Sequence, residues 1–257
     1  MKYSYLLFIF VTVLLVGFSA FSFGAILDEN TIAYWSFDEG EGDTLTDHSE
    51  NGHHGTIIDA VWVNGKYENA LEFNGETSFV EVPEAETLHT TDQTVAAWIK
   101  VLSNPGGWTG SNAAGIVFKM NEFQWNVENT GLLWYGIWGA ALRSKYNFMD
   151  HVGEWHHTAI TFEDGSKNCV IYVDGEVDAE GSVAESVDPS TFRLVIGGKD
   201  EPGGGVVEEL FHGIIDEVEI SSVVRTQDEI VEGMLSSLSV AYRDGKLTTT
   251  WGKLKRD

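Results

Sequence analysis

Four side chains with oxygen donors lie where loops meet β-type segments of this sequence, and they form a candidate metal site. Asp38 follows the first β-type segment, and Asp47 and Asn51 lie in the loop after it. Asp216 lies in a late β-type segment. Calcium binds six to eight oxygens from carboxylates and from amide or backbone carbonyls in bent loops. If the first and last strands pair, these residues meet, and we expect a structural calcium ion. The alternative is an acidic rim without an ion.

A second set of acids has the spacing of a glycosidase motif. Glu176, Asp178 and Glu180 follow an E-x-D-x-E pattern. On a regular strand all three project from one face, as the nucleophile, helper and acid of a retaining glycosidase must. The segment directly follows the Asp174-Gly175 turn, and a chain with 40 acidic residues can contain this match by chance. Catalysis here is therefore the alternative, and the sequence favours a protein that is not an enzyme.

Tryptophan side chains are the candidates for contact with a ligand. Sugar rings present C–H faces that stack on aromatic rings, while polar neighbours bind the hydroxyl groups. Tryptophans in a β-sandwich also serve as core or edge cover, which is the alternative for each of them. The predicted ligand-binding group comprises Trp108, Trp125, Trp134, Trp138 and Arg143, with Asn126 nearby in sequence.

The histidines do not form a recognised zinc pattern. The sequence contains neither H-E-x-x-H nor a paired Cys/His spacing, and zinc sites need a defined tetrahedral set. His156 and His157 are adjacent in a β-type segment and therefore point to opposite faces, so they cannot chelate one ion together. For these two, and for His48, His53 and His54, we expect structural hydrogen bonds.

The elements that must position these groups are organised around residues 153–175. Residues 154–162 are rich in Trp, Thr, Ile and Phe, and residues 163–168 are a cluster of turn formers. Residues 169–173 are a second β-type segment, closed by the turn signal Asp174-Gly175. The pattern predicts an antiparallel strand pair.

The rest of the chain repeats this β-type pattern. Short β-type segments are separated by turns such as Asn64-Gly65 and Asn74-Gly75, and helical periodicity is absent from them. Residues 226–235 are the exception, because Thr226 and Glu229 form a capping-box pattern at the start of a short helix. We predict an all-β fold, a two-sheet antiparallel β-sandwich of the jelly-roll type with one short C-terminal helix.

Both ends of the sequence differ from this central domain. Residues 1–24 combine an apolar run with small residues before Ala25, as in a signal peptide. The apolar run over residues 3–23 is nearly long enough for an uncleaved anchor, which is the alternative. We expect export, a domain over residues 25–236, and a basic C-terminal tail or hairpin over residues 237–257. After cleavage we expect no membrane insertion.

The charge balance narrows the range of partners. The chain has 15 Lys and Arg against 40 Asp and Glu, a formal net charge of −25. Such a surface repels nucleic acid and anionic lipid. Cys169 is the single cysteine, so no intramolecular disulfide forms, and its apolar neighbours predict a small buried side chain.

Several motifs, in order along the chain, resemble those of laminin G-like jelly-roll domains of the concanavalin A-like lectin/glucanase superfamily. They are residues 32–40 (IAYWSFDEG), 47–55 (DHSENGHHG), 70–75 (ALEFNG), 79–83 (FVEVP), 95–100 (VAAWIK), 155–162 (WHHTAITF), 171–175 (IYVDG) and 211–220 (FHGIIDEVEI). The resemblance implies a secreted or cell-envelope module that binds glycans or extracellular proteins, often with calcium; Asp47, Asn51 and Asp216 lie in matching motifs. Family 16 glucanases share the fold and the E-x-D-x-E spacing, which keeps the glycoside hydrolase alternative open.

Overall fold

Alternating apolar and polar residues in short segments give this chain two stacked antiparallel sheets. The computed structural model describes residues 27–103, 113–137, 140–200, 205–235, 240–243 and 246–249. The strands are β1 (Thr31–Trp35), β2 (Thr44–Leu45), β3 (Gly55–Ile58), β4 (Val61–Asn64), β5 (Asn69–Asn74), β6 (Phe79–Val82), β7 (Gln93–Val101), β8 (Ala113–Lys119), β9 (Phe123–Glu128), β10 (Leu132–Ile137), β11 (Ala140–Asn147), β12 (His156–Glu163), β13 (Asn168–Val173), β14 (Glu176–Ser182), β15 (Leu194–Ile196), β16 (Lys199–Asp200), β17 (Val207–Glu208), β18 (His212–Ser221), β19 (Val240–Arg243) and β20 (Lys246–Thr249). The single described α-helix, α1, spans Gln227–Leu235, and short 3-10 helices span Glu86–Leu88 and Phe148–His151. The predicted all-β sandwich is confirmed.

The strands divide into two eight-stranded sheets. Sheet A has the order β14-β13-β12-β7-β18-β5-β4, with β1 also paired to β18. Sheet B has the order β11-β10-β9-β8-β15-β6-β3-β2. Two small pairs, β16–β17 and β19–β20, lie outside these sheets, and the second is a pair of strands within the predicted tail. The pairing of β1 with β18 confirms that the first strand and the last strand of the sandwich lie side by side.

The predicted central hairpin is present in sheet A. Strand β12 pairs with β13 from Thr158 opposite Val173 to Glu163 opposite Asn168, and on its other side β12 pairs with β7. Cys169 is buried in the core, as predicted, and burial raises the pKa of its thiol to about 12. The thiol is therefore protonated and unreactive at neutral pH.

The core lies between the inner faces of the two sheets. Its large side chains include Trp35 and Phe73 from sheet A and Trp125 and Tyr135 from sheet B, and all four are fully buried. Burying each such side chain contributes about 1.5–3 kcal/mol. Because inward and outward residues alternate, the same strands must present their other side chains on the two outer faces.

Helix α1 covers part of the outer face of sheet A. Ile230 of the helix packs against Ala159, Val170 and Tyr172 of the sheet. The predicted capping box is present: the Thr226 backbone N–H donates to a Glu229 carboxylate oxygen at 2.7 Å, and the Glu229 N–H donates to the Thr226 hydroxyl at 3.3 Å. These bonds fix where the helix starts.

The predicted glycosidase geometry is wrong because β14 contains a bulge. Ile171 lies opposite Ala179 but Tyr172 lies opposite Val177, so Asp178 is an extra residue. As a result Glu176 lies opposite Val173, which packs in the core, whereas Glu180 lies opposite Val170 on the outer face. A bulge reverses the alternation of faces along its strand. The three acids therefore do not share a face, and β14 is an edge strand of sheet A.

Asp178 has a structural partner instead. Its carboxylate accepts hydrogen bonds from the backbone N–H groups of Lys145 at 2.6 Å and Tyr146 at 3.0 Å. Both residues belong to β11, the edge strand of sheet B. Asp178 therefore ties the two sheet edges together.

Within the described ranges, no helix has the length and apolar character needed to cross a membrane.

Candidate functional site

The outer face of sheet B carries an exposed aromatic and polar surface. Trp134 on β10 points outward, because its neighbours Leu133 and Tyr135 are fully buried in the core. Asn126 on β9 and Arg143 on β11 lie directly opposite Trp134 on either side. Side chains opposite each other on one face have Cβ atoms about 4.5–5.5 Å apart. We call Asn126, Glu128, Trp134, Gly136 and Arg143 the sheet B platform.

The indole of Trp134 lies along its strand above Gly136. A Cβ atom at Gly136 would lie 3.0 Å from Trp134 Cη2 and 2.4 Å from the Ala140 carbonyl oxygen. Glycine therefore leaves the space that the ring occupies. Trp134 is half-buried, so part of its ring remains accessible to solvent. This arrangement presents an aromatic surface on a rigid element rather than on a loop.

Polar groups flank the ring of Trp134 on both sides. Arg143 binds Glu128 with two guanidinium nitrogens, at 2.7 Å and 3.0 Å, and these hydrogen bonds raise the pKa of Arg143. Asn126 is nearly fully buried, and within the described residues its side-chain Oδ1 has no hydrogen-bond partner. A buried polar atom without a partner costs about 1–3 kcal/mol.

The other predicted ligand-binding residues have different positions. Trp125 is fully buried in the core, so its predicted role in ligand stacking is wrong; its outward neighbour Asn126 faces the platform instead. Trp108 and Trp138 lie outside the described residues. Of the predicted group, Trp134 and Arg143 are brought together, with Asn126 beside them.

The outer face of sheet A is closed and acidic. A bulge in β18 between Asp216 and Glu219 makes Glu217 an extra residue, with φ at +53°. Glu217 lines a cavity of about 30 Å³ beneath α1, together with Tyr34, Trp98 and His157. A single water molecule needs about 10–15 Å³. This cavity therefore has room for water or a monatomic ion, but a sugar ring does not fit.

The carboxylates of this face are held out of water. Asp216 Oδ2 accepts hydrogen bonds from the backbone N–H groups of Lys66 at 2.9 Å and Tyr67 at 3.1 Å. The Tyr34 hydroxyl donates to one oxygen of Glu217. Within the described residues, Asp216 Oδ1 and Glu217 Oε1 have no partner.

Burial determines the protonation of these acids. It raises the pKa of Asp216 well above its ordinary value despite the two backbone hydrogen bonds, and it raises that of Glu217, with the Asp216 charge adding to the effect. The pKa of Asp38 rises to about 6, because of burial and then the nearby Glu68 charge. Acids in this state are stabilised either by a proton or by a cation.

The four predicted calcium ligands fall into two groups. Asp38 and Asp216 influence each other electrostatically, since the Asp38 charge adds to the raised pKa of Asp216. Asp47 organises its own loop: its carboxylate accepts from the backbone N–H groups of Tyr34, Ser49 and His53 at 2.7–2.9 Å. The carboxylates of Asp38, Asp47 and Asp216 do not bring one oxygen each within 4.8 Å of one another.

Asn51 has a similar role in the loop. Its side-chain amide donates to the Ile32 carbonyl at 3.0 Å, and its backbone N–H donates to Ser49 Oγ at 3.2 Å. These bonds hold the loop against β1. The bulge in β18 places Glu217, which the sequence did not single out, beside Asp216, but Asp38, Asp216 and Glu217 also do not bring one oxygen each within 4.8 Å of one another.

The sequence profile described as the concanavalin A-like lectin/glucanases superfamily matches residues 74–231 of this chain. The matched region contains both the β12–β13 hairpin and the sheet B platform. Among curated proteins, no sequence matches this chain.

The structure is similar to several solved binding domains. The binding domain of Paraclostridial Mosquitocidal Protein 1 has a TM-score of 0.63 at 18% identity, over 81% of this chain and 52% of that one. Domain 4 of AbnA, a GH43 extracellular arabinanase from Geobacillus stearothermophilus in complex with arabinotriose, has a TM-score of 0.61 at 19% identity, over 79% and 97%. The botulinum neurotoxin serotype G binding domain has a TM-score of 0.59 at 13% identity, over 79% of this chain and 50% of that one. This chain therefore spans about half of the toxin domains, and at these identities the similarity shows the fold alone.

Proposed function

The chain belongs to the concanavalin A-like lectin/glucanases superfamily, and on that premise we propose that it is an exported, non-catalytic module that binds carbohydrate through the sheet B platform. Its fold is that of solved binding domains, including toxin binding domains and an arabinanase domain. The finer assignment to a glycan rests on the platform itself.

One observation carries this proposal. Trp134 presents part of its ring above Gly136, beside the partly exposed Arg143–Glu128 pair. A ring for the C–H face of a sugar and a charged pair for its hydroxyls are groups that a glycan site needs. Tryptophan and arginine are also the residues that most often dominate binding energy at interfaces.

The comparisons favour a sugar as the ligand class without naming it. The arabinanase domain, which is covered almost completely, was solved with arabinotriose. The toxin binding domains keep a second candidate open, an extracellular protein as partner. The platform favours the glycan, because a single ring with convergent polar groups is a small-ligand arrangement, whereas specific protein interfaces bury about 1,200–2,000 Å² in total.

A glycoside hydrolase is the weaker alternative. The fold also occurs in glucanases, as the name of the superfamily indicates. However, Glu176 and Glu180 lie on opposite faces of an edge strand, and a retaining enzyme needs its two carboxyl groups about 5–5.5 Å apart across one bond. This separation of faces favours binding over turnover.

Calcium is part of the proposal as a structural ion. Asp38, Asp216 and Glu217 would hold it with carboxylate oxygens after moving closer together, because they do not bring one oxygen each within 4.8 Å of one another. The unpartnered Asp216 Oδ1 and Glu217 Oε1 support the proposal. Bound there, calcium would supply positive charge to acids that burial otherwise keeps protonated.

Export through residues 1–24 is proposed as well. N-terminal sequencing of secreted protein tests it, with Ala25 expected as the first residue.

A glycan array probed with residues 25–257 and with Trp134→Ala tests the function. We expect binding to a defined set of glycans, lost in the variant while its circular dichroism is unchanged. Trp62→Phe is the matched control, because Trp62 is also half-buried but packs against the core from sheet A. A β-glucan panel run in parallel, with Glu176→Gln, separates binding from hydrolysis. Turnover that is abolished in Glu176→Gln would overturn the proposal in favour of an enzyme.

A further inference from the structure

A cluster of two histidines and a glutamate lies where the 3-10 helix Phe148–His151 and the following turn meet the start of β12, and it shares no residue with the sheet B platform or the buried acids. His151 Nδ1 lies 3.3 Å from Glu154 Oε2, and His156 Nε2 lies 3.9 Å from the same oxygen. One ligand atom from each residue lies within 4.8 Å of the other two. Among the described residues, it is the one group of three or more His, Cys, Asp or Glu side chains that meets this spacing.

The separations fit a tetrahedral ion. Zinc binds histidine nitrogen and carboxylate oxygen at about 2.0–2.2 Å in tetrahedral geometry. Two ligands of such an ion are therefore about 3.3–3.6 Å apart. The observed 3.3 Å and 3.9 Å are at or close to these values, so only small side-chain movements separate the cluster from a coordinating arrangement. Nitrogen ligands also favour zinc and other transition metals over calcium, which prefers oxygen.

A carboxylate behind His156 supports this reading. Asp174 Oδ2 lies 2.9 Å from His156 Nδ1, and its other oxygen accepts the backbone N–H of His157 at 2.9 Å. With the Nδ1 proton donated to Asp174, Nε2 carries the lone pair, which accepts from the Tyr146 hydroxyl at 3.1 Å and would turn to an ion instead. Metal-binding histidines almost always make such a bond to a second carboxylate or carbonyl group, which fixes the ring and its tautomer.

The backbone around the cluster is held by its own hydrogen bonds. His151 ends the 3-10 helix Phe148–His151, and Gly153, with φ at +85°, turns the chain toward β12. The Gly153 N–H donates to the Val101 carbonyl at 2.8 Å, and the Glu154 N–H donates to the His151 carbonyl at 3.1 Å. The backbone that carries the first two ligands is therefore held in place before any ion binds.

Tyr146 completes the surroundings. Its ring stacks on His151, with centroids 4.8 Å apart and planes 22° apart. Its hydroxyl lies 3.1 Å from His156 Nε2. The tyrosine thus orients both histidine rings, and its hydroxyl marks the side from which a fourth ligand, this oxygen or a water molecule, would approach.

We propose that His151, Glu154 and His156 bind one divalent transition-metal ion of the Zn²⁺ type. The ion clips the 3-10 helix Phe148–His151 and the following turn to the start of β12. It does so at the end of the sandwich where β11, next to β10 of the platform, meets β12. This site is independent of the proposed carbohydrate binding, so either can fail without the other.

The test is a titration of tag-free, chelator-treated protein with ZnCl₂ by calorimetry and with CoCl₂ by visible absorption. We expect one ion per chain, a tetrahedral Co²⁺ spectrum, and a higher melting temperature at saturating Zn²⁺ because the ion binds the folded state. His151→Ala and Glu154→Gln should each weaken binding by at least tenfold. Both positions are partly exposed, so the variants remain folded.

Two further variants separate coordination from non-specific binding. Asp174→Asn should weaken zinc binding by about 10–100-fold, the usual effect of removing such a carboxylate. His54→Gln removes an exposed histidine outside the cluster and should leave the titration unchanged. Absence of one-to-one binding, or the same affinity in His151→Ala as in the original protein, would overturn the proposal.

Discussion

The two outer faces of this sandwich use the same kinds of residue for different purposes. On sheet A, Arg225 is 6% exposed and pairs with Asp28 at 2.8 Å, beneath helix α1. On sheet B, Arg143 is 50% exposed and pairs with Glu128 at 2.7 Å, beside Trp134. Both pairs are bidentate arginine–carboxylate contacts. The Arg225 guanidinium is sealed although Asp28 keeps 32% of its side chain exposed, whereas the Arg143 guanidinium remains accessible to a ligand.

Burial accounts for the difference between the faces. A charge held away from water must keep its partners, so the groups on sheet A form a closed structural network. A charge pair in contact with water contributes little to folding and can exchange its partners for those of a ligand. The covering helix therefore leaves the recognition role to the opposite face.

The largest loss of stability is expected for a substitution on the outer face of sheet A. In Arg225→Met, Asp28, Glu219 and Glu229 lose their common partner. Removing one member of a buried pair costs about 3–5 kcal/mol. Because Asp28 and Glu229 are about one third exposed, we expect the free energy of unfolding to fall by about 3 kcal/mol, the lower end of that range, in urea denaturation. Arg143→Met is the matched change on the open face and should cost less than about 1 kcal/mol. Equal losses would show that the two faces are equally sealed.

The pH dependence of the free energy of unfolding also distinguishes the closed face of sheet A from the open face of sheet B. The folded-state pKa of Asp38 is about 6 against an ordinary value of 3.8, so between these values the folded protein binds more protons than the unfolded one. Protonated Asp38 therefore contributes its full stabilisation of the folded protein below about pH 4, and this contribution is lost as the pH rises through 6. From this group alone the loss is at most about 3 kcal/mol, and Asp216 and Glu217 act in the same direction.

Urea denaturation of chelator-treated protein between pH 4 and pH 7 measures this loss. Asp38→Asn should flatten the profile, and Glu128→Gln on sheet B should not change it. Added calcium should restore stability mainly at the higher pH if it binds the deprotonated acids. A flat profile in the original protein would contradict the account of the closed face.

The shape of the open face is tested by Gly136→Ala. The new methyl group would lie 2.4 Å from the Ala140 carbonyl oxygen and 3.0 Å from Trp134. Overpacking of this kind costs about 1–3 kcal/mol, and it displaces the indole. We therefore expect both a lower melting temperature and weaker glycan binding. Gly165→Ala, in a loop where a Cβ atom meets nothing within 4 Å, is the control, and equal effects of the two changes would contradict this geometry.

Local sequence signals predicted the framework of the fold. The β12–β13 hairpin follows from turn formers between two β-type segments, and the capping box at Thr226 follows from residues three positions apart. These features depend on neighbours in sequence, which is why they are readable without a structure. The alternation along β10 puts Trp134 on the face opposite Leu133 and Tyr135, but both faces are apolar, so only the structure shows which one is outward.

The parts that were missed depend on bulges and on contacts between distant elements. A single extra residue at Asp178 separates Glu176 from Glu180, and another at Glu217 turns that acid outward. The pairing of His151 with His156 depends on the turn at Gly153, whose left-handed backbone brings the two rings together. The signal available was the spacing H-x-x-E-x-H over residues 151–156, which matches no common zinc motif.

The central claim is that the open face of sheet B binds carbohydrate through Trp134. The most direct test is a calorimetric titration of the strongest array glycan against the original protein, Trp134→Ala and Trp62→Phe. We predict a Kd raised about 30-fold or more in Trp134→Ala, as expected for loss of a dominant contact of about 2 kcal/mol, and an unchanged Kd in Trp62→Phe. A folded Trp134→Ala protein with the original Kd, or no glycan bound by the original protein, would contradict the account.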